Sequence, residues 1–309
     1  MSTLLYILTN ILLPVFILAG VGFTMQKKFK LDIKSLVKVH LFVFMPSLIF
    51  YNIYFNKLSG DIILKVVIFV VSLSVILMIV ASLVGKSLKL DKSKEKAFVN
   101  ACALMNEGNY GIPLITLLYA GAYVEYAVSI QMIVVMTTSL LINTIGLYNA
   151  SSGSYTGREA LRNVFKLPLI YVIIIGFVFK GFSIELWSPI VSAIGFMSNA
   201  VVPMALFILG AQLAETEIKV TNPMVYLADV FRLMLSPIIA LCLVRIMGIE
   251  GMIAQILIIG SALPTAVVSV ALAIEFDGDY HYASQTVFQT TLFSAITVTT
   301  IIALVLRFV

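Results

Sequence analysis

Charge is what this sequence has little of. Of 309 residues, 20 are Lys or Arg and 15 are Asp or Glu, 11% together, while 61% are hydrophobic. Soluble domains carry about a quarter charged residues, so these charges are too few to cover a water-facing surface, and the mean hydropathy of +1.08 agrees. Cysteine is nearly missing as well. Cys102 and Cys242 lie in apolar stretches without CxxC or metal-ligand spacing, which excludes a disulfide or metal reading and leaves both as reduced core residues. The two histidines, His40 and His281, fall near the ends of apolar runs and read as interfacial groups. No GxSxG, HExxH, Walker A or paired-His pattern occurs, so neither an enzyme nor a cofactor has a motif behind it. A net charge of +5 could suggest nucleic acid, but the basic residues sit between apolar runs, where they mark topology instead.

What is present is a series of apolar runs. They cover residues 4–25, 35–55, 62–85, 96–120, 122–149, 161–181, 189–213, 222–246, 252–275 and 279–307. A bilayer core takes about 20 apolar residues per helix. The runs are continuously apolar rather than alternating, which favours helices over barrel strands. The expectation is an all-α integral membrane protein of ten spans with no room for a soluble domain. The first run lacks a basic leader and a small-residue cleavage pattern, so it reads as a retained span. Trp187 suits an interfacial anchor.

Lys27, Lys28, Lys30, Lys34 and Lys38 follow the first span, Lys86, Lys89, Lys92, Lys94 and Lys96 the third, and Arg158, Arg162 and Lys166 the fifth. The positive-inside bias puts those loops in the cytoplasm and both termini outside a plasma membrane. Prolines recur between halves: Pro14 with Pro168, Pro46 with Pro203, Pro113 with Pro264, all at nearly constant spacing. Five spans per half is an odd number, so residues 1–149 and 161–309, joined by a linker at 150–160, must have opposite orientation, as in inverted-repeat transporters. GxxxG-like spacings carry no special signal.

Span 4 contains Asn106-Glu107-Gly108-Asn109-Tyr110-Gly111-Ile112-Pro113, and span 9 contains Gly260-Ser261-Ala262-Leu263-Pro264-Thr265. Gly and Pro break the backbone ladder, and broken backbone at that depth is tolerated only where it is packed against protein or lines a cavity. Matching interruptions in two halves point to a binding site. Half-helix N-termini favour an anion, and Asn106 and Asn109 can either fix a carboxylate or bridge neighbouring helices. Glu107, the deepest acid, is either a proton carrier or a carboxyl held in a polar cluster. Asp229 and Arg232, three apart on span 8, read most simply as a local ion pair. Gln131, Gln285 and Gln289 can line the same cavity.

NEGNYGIPLI, VPMALFILGAQLA and ALPTAVVSVALAIEFDGDYHYASQTVFQTTL together resemble the auxin efflux carrier family, which includes plant auxin exporters and bacterial malate and malonate carriers. The resemblance implies two inverted five-helix repeats with broken, crossing helices 4 and 9, like sodium/proton antiporters and bile acid symporters. It implies a scaffold of spans 1, 2, 6 and 7, a transport domain of spans 3–5 and 8–10, and a homodimer. By spacing from Pro113, Asn106 inherits the family's carboxylate-contacting Asn; Gln131 and Arg232 match family positions on helices 5 and 8. Two departures, the acid at Glu107 and the short central linker, point away from auxin itself and from the plant mode of regulation.

The expected function is secondary, elevator-like transport of a mono- or dicarboxylate such as malate, malonate or an auxin-like acid. The expected substrate site comprises Asn106, Asn109, Gly111, Pro113, Gln131, Ser261, Pro264, Thr265 and Ser47. Glu107, Asp229, Arg232, Gln285 and Gln289 are the candidates for proton coupling or, in a bile acid-type alternative, sodium coupling. A non-transporting ligand sensor in the same lipid-embedded fold is the other alternative.

Overall fold

The structure, a computed structural model, describes residues 3–55, 58–151, 159, 162, 165–216 and 222–309. In chain order its helices are α1 (Leu4–Phe29), α2 (Ile33–Phe55), α3 (Gly60–Ser87), α4 (Lys92–Ala103), α5 (residues 107–118), α6 (Val124–Ala150), α7 (Pro168–Gly181), α8 (Ser188–Ala214), α9 (Pro223–Ile246), α10 (Gly251–Ser261), α11 (Val268–Glu275) and α12 (Tyr280–Phe308). Among the described residues, seven of these (α1, α2, α3, α6, α8, α9 and α12) are apolar and long enough to cross a membrane. The expected spans 4 and 9 are each interrupted, as α4–α5 and α10–α11. The expected linker at 150–160 falls mostly outside the described residues, as does the start of span 6.

Helix starts follow local chemistry. Asp32, Ser59, Asp91, Asn222 and Asp279 each accept a hydrogen bond from an amide in the first turn of α2, α3, α4, α9 and α12, satisfying donors that a helix leaves unpaired there. The Ser35 hydroxyl and amide on Asp32, and the Lys94 amide on Asp91, hold both carboxyls below the usual carboxylate range.

Prolines set the irregularities. Among the described residues, four of the five π-turns end two residues before a proline: Leu8–Leu12 before Pro14, His40–Phe44 before Pro46, Glu107–Gly111 before Pro113, and Phe231–Leu235 before Pro237. Proline has no N–H to give, and its ring crowds the carbonyl four residues back. The ladder responds by opening one turn to i→i+5 pairing. The fifth π-turn, Ile142–Gly146, precedes no proline.

Long-range hydrogen bonds fix which helix ends lie together. Gln26 on α1 donates to Glu215 just past α8 at 3.0 Å, Ser93 on α4 donates to the Asp277 carbonyl beyond α11, and Asn149 on α6 donates to the Lys96 carbonyl on α4. These contacts gather one end of the bundle, where Lys27, Lys28, Lys92, Lys94 and Lys96 stand. At the other end Tyr54 on α2 donates to the Ile184 carbonyl, and Tyr119 beyond α5 donates to Gln255 on α10.

α1 packs on α8, and α7 on α2; α3 packs on α4 and α6, while α9 packs on α10 and α12. The α1–α8 crossing is where glycine spacing proves to matter, against the sequence expectation. A Cβ on Gly210 would stand 1.7 Å from the Ala19 carbonyl oxygen, and one on Gly22 would stand 2.0 Å from that of Phe207. Backbones this close need small residues on both sides. Cys102 is buried as expected, but Cys242 is exposed on the outer face of α9 and is not a core residue.

Gly210→Ala is therefore predicted to destabilise the protein by about 1–3 kcal/mol through overpacking. Gly20→Ala, whose Cβ meets nothing within 4 Å, is the control. Melting of both variants in detergent tests this, and equal melting temperatures would reject a tight α1–α8 crossing.

Candidate functional site

Breaking two helices in the middle of the bundle exposes carbonyls at the end of each first half. α4 stops at Ala103 and α10 at Ser261, and their orphaned groups meet one another. Asn106 N–H donates to the Pro264 carbonyl at 3.0 Å and Ala266 N–H to the Leu104 carbonyl at 2.9 Å, forming the antiparallel bridge between Met105 and Thr265. The Thr265 hydroxyl donates to the Ala101 carbonyl at 2.8 Å, and the Thr265 amide donates to Thr290 on α12.

Three further carbonyls are taken by Arg232, which is fully buried. Its Nε donates to the Leu263 carbonyl at 3.0 Å, its Nη1 to the Cys102 carbonyl at 2.7 Å, and its Nη2 to Ser236 and to the Ser261 carbonyl. Ser236 also donates to the Ser261 carbonyl at 2.7 Å. One guanidinium thus ties the C-terminal ends of α4 and α10 together, where the negative ends of two helix dipoles favour a cation. The simple ion pair expected between Asp229 and Arg232 is not formed. Both Asp229 oxygens are buried without a hydrogen-bond partner, because the π-turn carrying Arg232 aims it at the crossing.

Glu107 opens the second half of the interrupted span. Its carboxyl is 3% exposed and accepts a hydrogen bond from Gln131 Nε2 on α6 at 2.8 Å; the same nitrogen also donates to the Glu107 carbonyl at 3.2 Å. Two glycines make room for it. A Cβ on Gly260 would lie 3.2 Å from Glu107 Oε1, and one on Gly111 would lie 2.6 Å from Gln131 Nε2. Among the described residues Glu107 has no cationic partner within 4 Å.

Beside the crossing, toward the basic end, lies a cavity of about 390 Å³. Asn106, Glu107, Gly108 and Asn109 form part of its wall, with Val267 and Val268 from the start of α11. Of the other expected site residues, Gly111 and Gln131 stand behind Glu107. Ser261, Pro264 and Thr265 are committed to the crossing itself, and Pro113 is buried in α5. Ser47 is bonded to the Val43 carbonyl within α2 and does not line the cavity. Asp229 and Gln289 lie elsewhere, on the packed helices α9 and α12, and Gln289 Nε2, like both Asp229 oxygens, is buried without a hydrogen-bond partner. Gln285, half-buried on the same helix, does not reach the cavity.

The sequence reading missed His40, Thr138 and Gln212. His40, expected near the end of its span, is 3% exposed and lines the cavity. The usable signal was Pro46, whose π-turn begins at His40.

The membrane transport protein family matches the chain over residues 7–156 and 155–302. An uncharacterized transporter of Methanocaldococcus jannaschii is 28% identical over 273 residues, covering 86% of this chain and 87% of the relative. An uncharacterized transporter of Methanothermobacter thermautotrophicus is 25% identical over 294 residues, covering 93% and 95%.

Arg232→Lys should lower stability by on the order of 3 kcal/mol, since one ammonium cannot serve carbonyls on two helices at the angles a guanidinium spans. The exposed Arg245→Lys should be neutral. Thermal melting in detergent measures both; a stable Arg232→Lys protein would mean that the crossing does not depend on the guanidinium.

Proposed function

The chain belongs to the membrane transport protein family, the auxin efflux carrier family to which its motifs point, and from that premise we propose that this multi-pass membrane protein is a secondary active carrier of a small organic anion. The observation that carries the reading is the cavity wall. It holds the first turns of two half-helices, at 107–109 and 267–268, together with the buried Asn106, whose Nδ2 has no partner. First-turn amides have no acceptor further back in their helix. They carry the positive end of the dipole, worth about 0.3–1 kcal/mol to an anion at each terminus and more when desolvated. An amide donor between them suits a carboxylate.

In this reading the two interrupted spans join seven long helices and α7 to make ten crossings, five plus five inverted. α1, α2, α7 and α8 are the scaffold, through which two copies pair. The elements from α3 to α6 and from α9 to α12 form the moving body, held as one unit by Arg232 and the backbone bridge. The basic end of the bundle is cytoplasmic by the positive-inside bias, which puts both termini outside the plasma membrane and opens the cavity to the cytoplasm. Glu107 is the proposed proton carrier, because a cargo carboxylate beside an ionised Glu107 would be repelled. Sodium coupling is the second reading. It is favoured by the unpartnered oxygens of Asp229, whose helix packs on that of Gln289, although two such groups fall short of the six or more oxygens that a hard cation site gathers.

Proteoliposomes given labelled malate, malonate and indole acetate are expected to show saturable uptake of at least one acid; flux of none would sink the carrier reading. Asn106→Ala should reduce that uptake about tenfold or more, the worth of a charge-assisted hydrogen bond, in a protein that still melts normally. Glu107→Gln should abolish stimulation by a pH gradient while sparing exchange. If the gradient still drives uptake, the proton travels elsewhere, and sodium dependence then tests Asp229.

A further inference from the structure

A cavity larger than the one beside the crossing, about 530 Å³, lies between α9, α10 and α12 and has no part in the carrier reading. Its size falls in the range of ligand pockets, about 300–1,000 Å³. Pro237 accounts for it. The first half of α9, through the π-turn at Phe231–Leu235, packs on α12, whereas the second half, Ser236–Ile246, packs on α10 and α3 instead. α12 continues past it as one unbroken helix, so the two helices part and leave a trough. Leu233, Ile258 and Val305, which are buried, form its floor, and the exposed Ile238 and Ile296 stand on its rims. Thr297 and Thr300 in the lining each donate to a carbonyl of their own helix. The one charged side chain of the lining is Arg245.

The trough has a direction and a length. Tyr282 at the start of α12 donates to the Met224 carbonyl at the start of α9, so the two helices run in parallel, away from the lysines. α9 from Leu233 to Arg245, and α12 from Ile296 to Phe308, each rise about 18 Å at about 1.5 Å per residue. One leaflet's share of a hydrocarbon core is about 15 Å. The trough thus reaches from mid-bundle to the end opposite the lysines, where Arg245 stands without an acidic partner within 4 Å among the described residues. Phe308 closes the same end, and the Arg307 guanidinium lies over its ring, 5.2 Å from the centroid.

An apolar slot one leaflet long that ends in an unpaired guanidinium matches a glycerophospholipid, an acyl chain followed by a phosphate. Arginine meets phosphate oxygens with paired, charge-assisted hydrogen bonds, and basic pockets between helices at a membrane surface select anionic head groups. A second copy fits less well, because a two-fold partner in the same membrane would bring its own Arg245 and Arg307 to the same end. We propose that this trough binds one anionic phospholipid, with an acyl chain lying between α9 and α12 from Leu233 outward and the phosphate held by Arg245. The chain fills the gap opened at Pro237 and braces the second half of α9 against α12. Its inner end rests on Leu233 and Pro237, the sequence neighbours of Arg232 and Ser236, which hold the crossing. The site is independent of what the protein carries.

Delipidated full-chain protein in detergent, titrated with dioleoyl phosphatidylglycerol, dioleoyl phosphatidylcholine or inorganic phosphate, tests this. The readouts are the melting temperature and, by native mass spectrometry, the lipid retained per chain. Phosphatidylglycerol should raise the melting temperature of wild type by about 3 °C or more, phosphatidylcholine by less, and phosphate not at all. Arg245→Gln should bring the phosphatidylglycerol shift down to that of phosphatidylcholine, while Arg245→Lys keeps part of the difference. Thr300→Trp, which fills the trough, should abolish retention of the bound lipid. Lys27→Gln combined with Lys28→Gln, at the opposite end, should leave the difference intact. Equal shifts from both lipids, a phosphatidylglycerol preference unaltered by Arg245→Gln, or a preference lost only with the lysines overturns the proposal. So does a shift from phosphate alone, or a dimer that retains no lipid and that Thr300→Trp dissociates, which would make a second copy the occupant. If Thr300→Trp does not fold, Arg245→Gln and the lysine variant decide.

Discussion

Two helices that stop halfway through an apolar bundle leave carbonyl oxygens that nothing in lipid can satisfy, and every other feature of the centre follows from how they are paired. α4 and α10 solve this reciprocally. Each break supplies amides to the other's carbonyls, and Arg232 closes the carbonyls that backbone cannot reach. A buried cation is expensive in isolation. Here it is offset by the negative ends of two dipoles and by Ser236, so the guanidinium is a structural part of the crossing. Because its donors are committed, it adds little to the chemistry of the cavity. That task is left to neutral donors and to half-helix amides.

The prolines connect sequence to this geometry more directly than their usual description as kinks suggests. Each of Pro14, Pro46, Pro113 and Pro237 opens a π-turn that ends two residues before it. A widened turn rotates the side chains within it relative to an unbroken α-helix. His40, Glu107, Asn109 and Arg232 all stand in such turns. Proline position therefore determines which polar residue of an otherwise apolar helix is turned inward. It explains why Arg232 reaches the crossing instead of pairing with Asp229 one turn earlier.

The sequence made the interrupted spans legible, because Asn-Glu-Gly-Asn-Tyr-Gly-Ile-Pro and Gly-Ser-Ala-Leu-Pro-Thr cannot continue an α-helix through apolar surroundings. Asn106 and Glu107 were legible for the same reason, being polar where polarity is costly. The facing wall was not. His40 lies only two turns into α2, close to lysines, and from sequence alone that position reads as the membrane surface; its burial depends on α8, more than 160 residues away. Gln212 sits in a helix of uniform hydrophobicity, where nothing local distinguishes a lining residue from a packed one. Ser47 illustrates the opposite error. It neighbours a proline and looks functional, yet its hydroxyl returns to the backbone of its own helix. The glycines of the α1–α8 crossing failed to announce themselves because their meaning lies in the carbonyls of the other helix.

The two walls of the cavity differ in how they are held. The wall at the crossing is cross-linked by backbone bonds, by Arg232 and by the contact between Glu107 and Gln131, so Asn106 and Thr138 keep their spacing if that body moves. The α2–α8 wall meets that body through the packing of α8 on residues 107–118 and, among the described residues, through a side-chain hydrogen bond from Ser129 on α6 to Asn52 on α2. In the carrier proposed above, with α1, α2, α7 and α8 as its scaffold, donors on the crossing would travel with the cargo while His40 and Gln212 would stay with the scaffold. Any contact that the cargo made with the fixed wall would then be present at one membrane face and missing at the other. A release step weakened by about one hydrogen bond requires no change at the crossing itself, which can remain as rigid as its bonding implies.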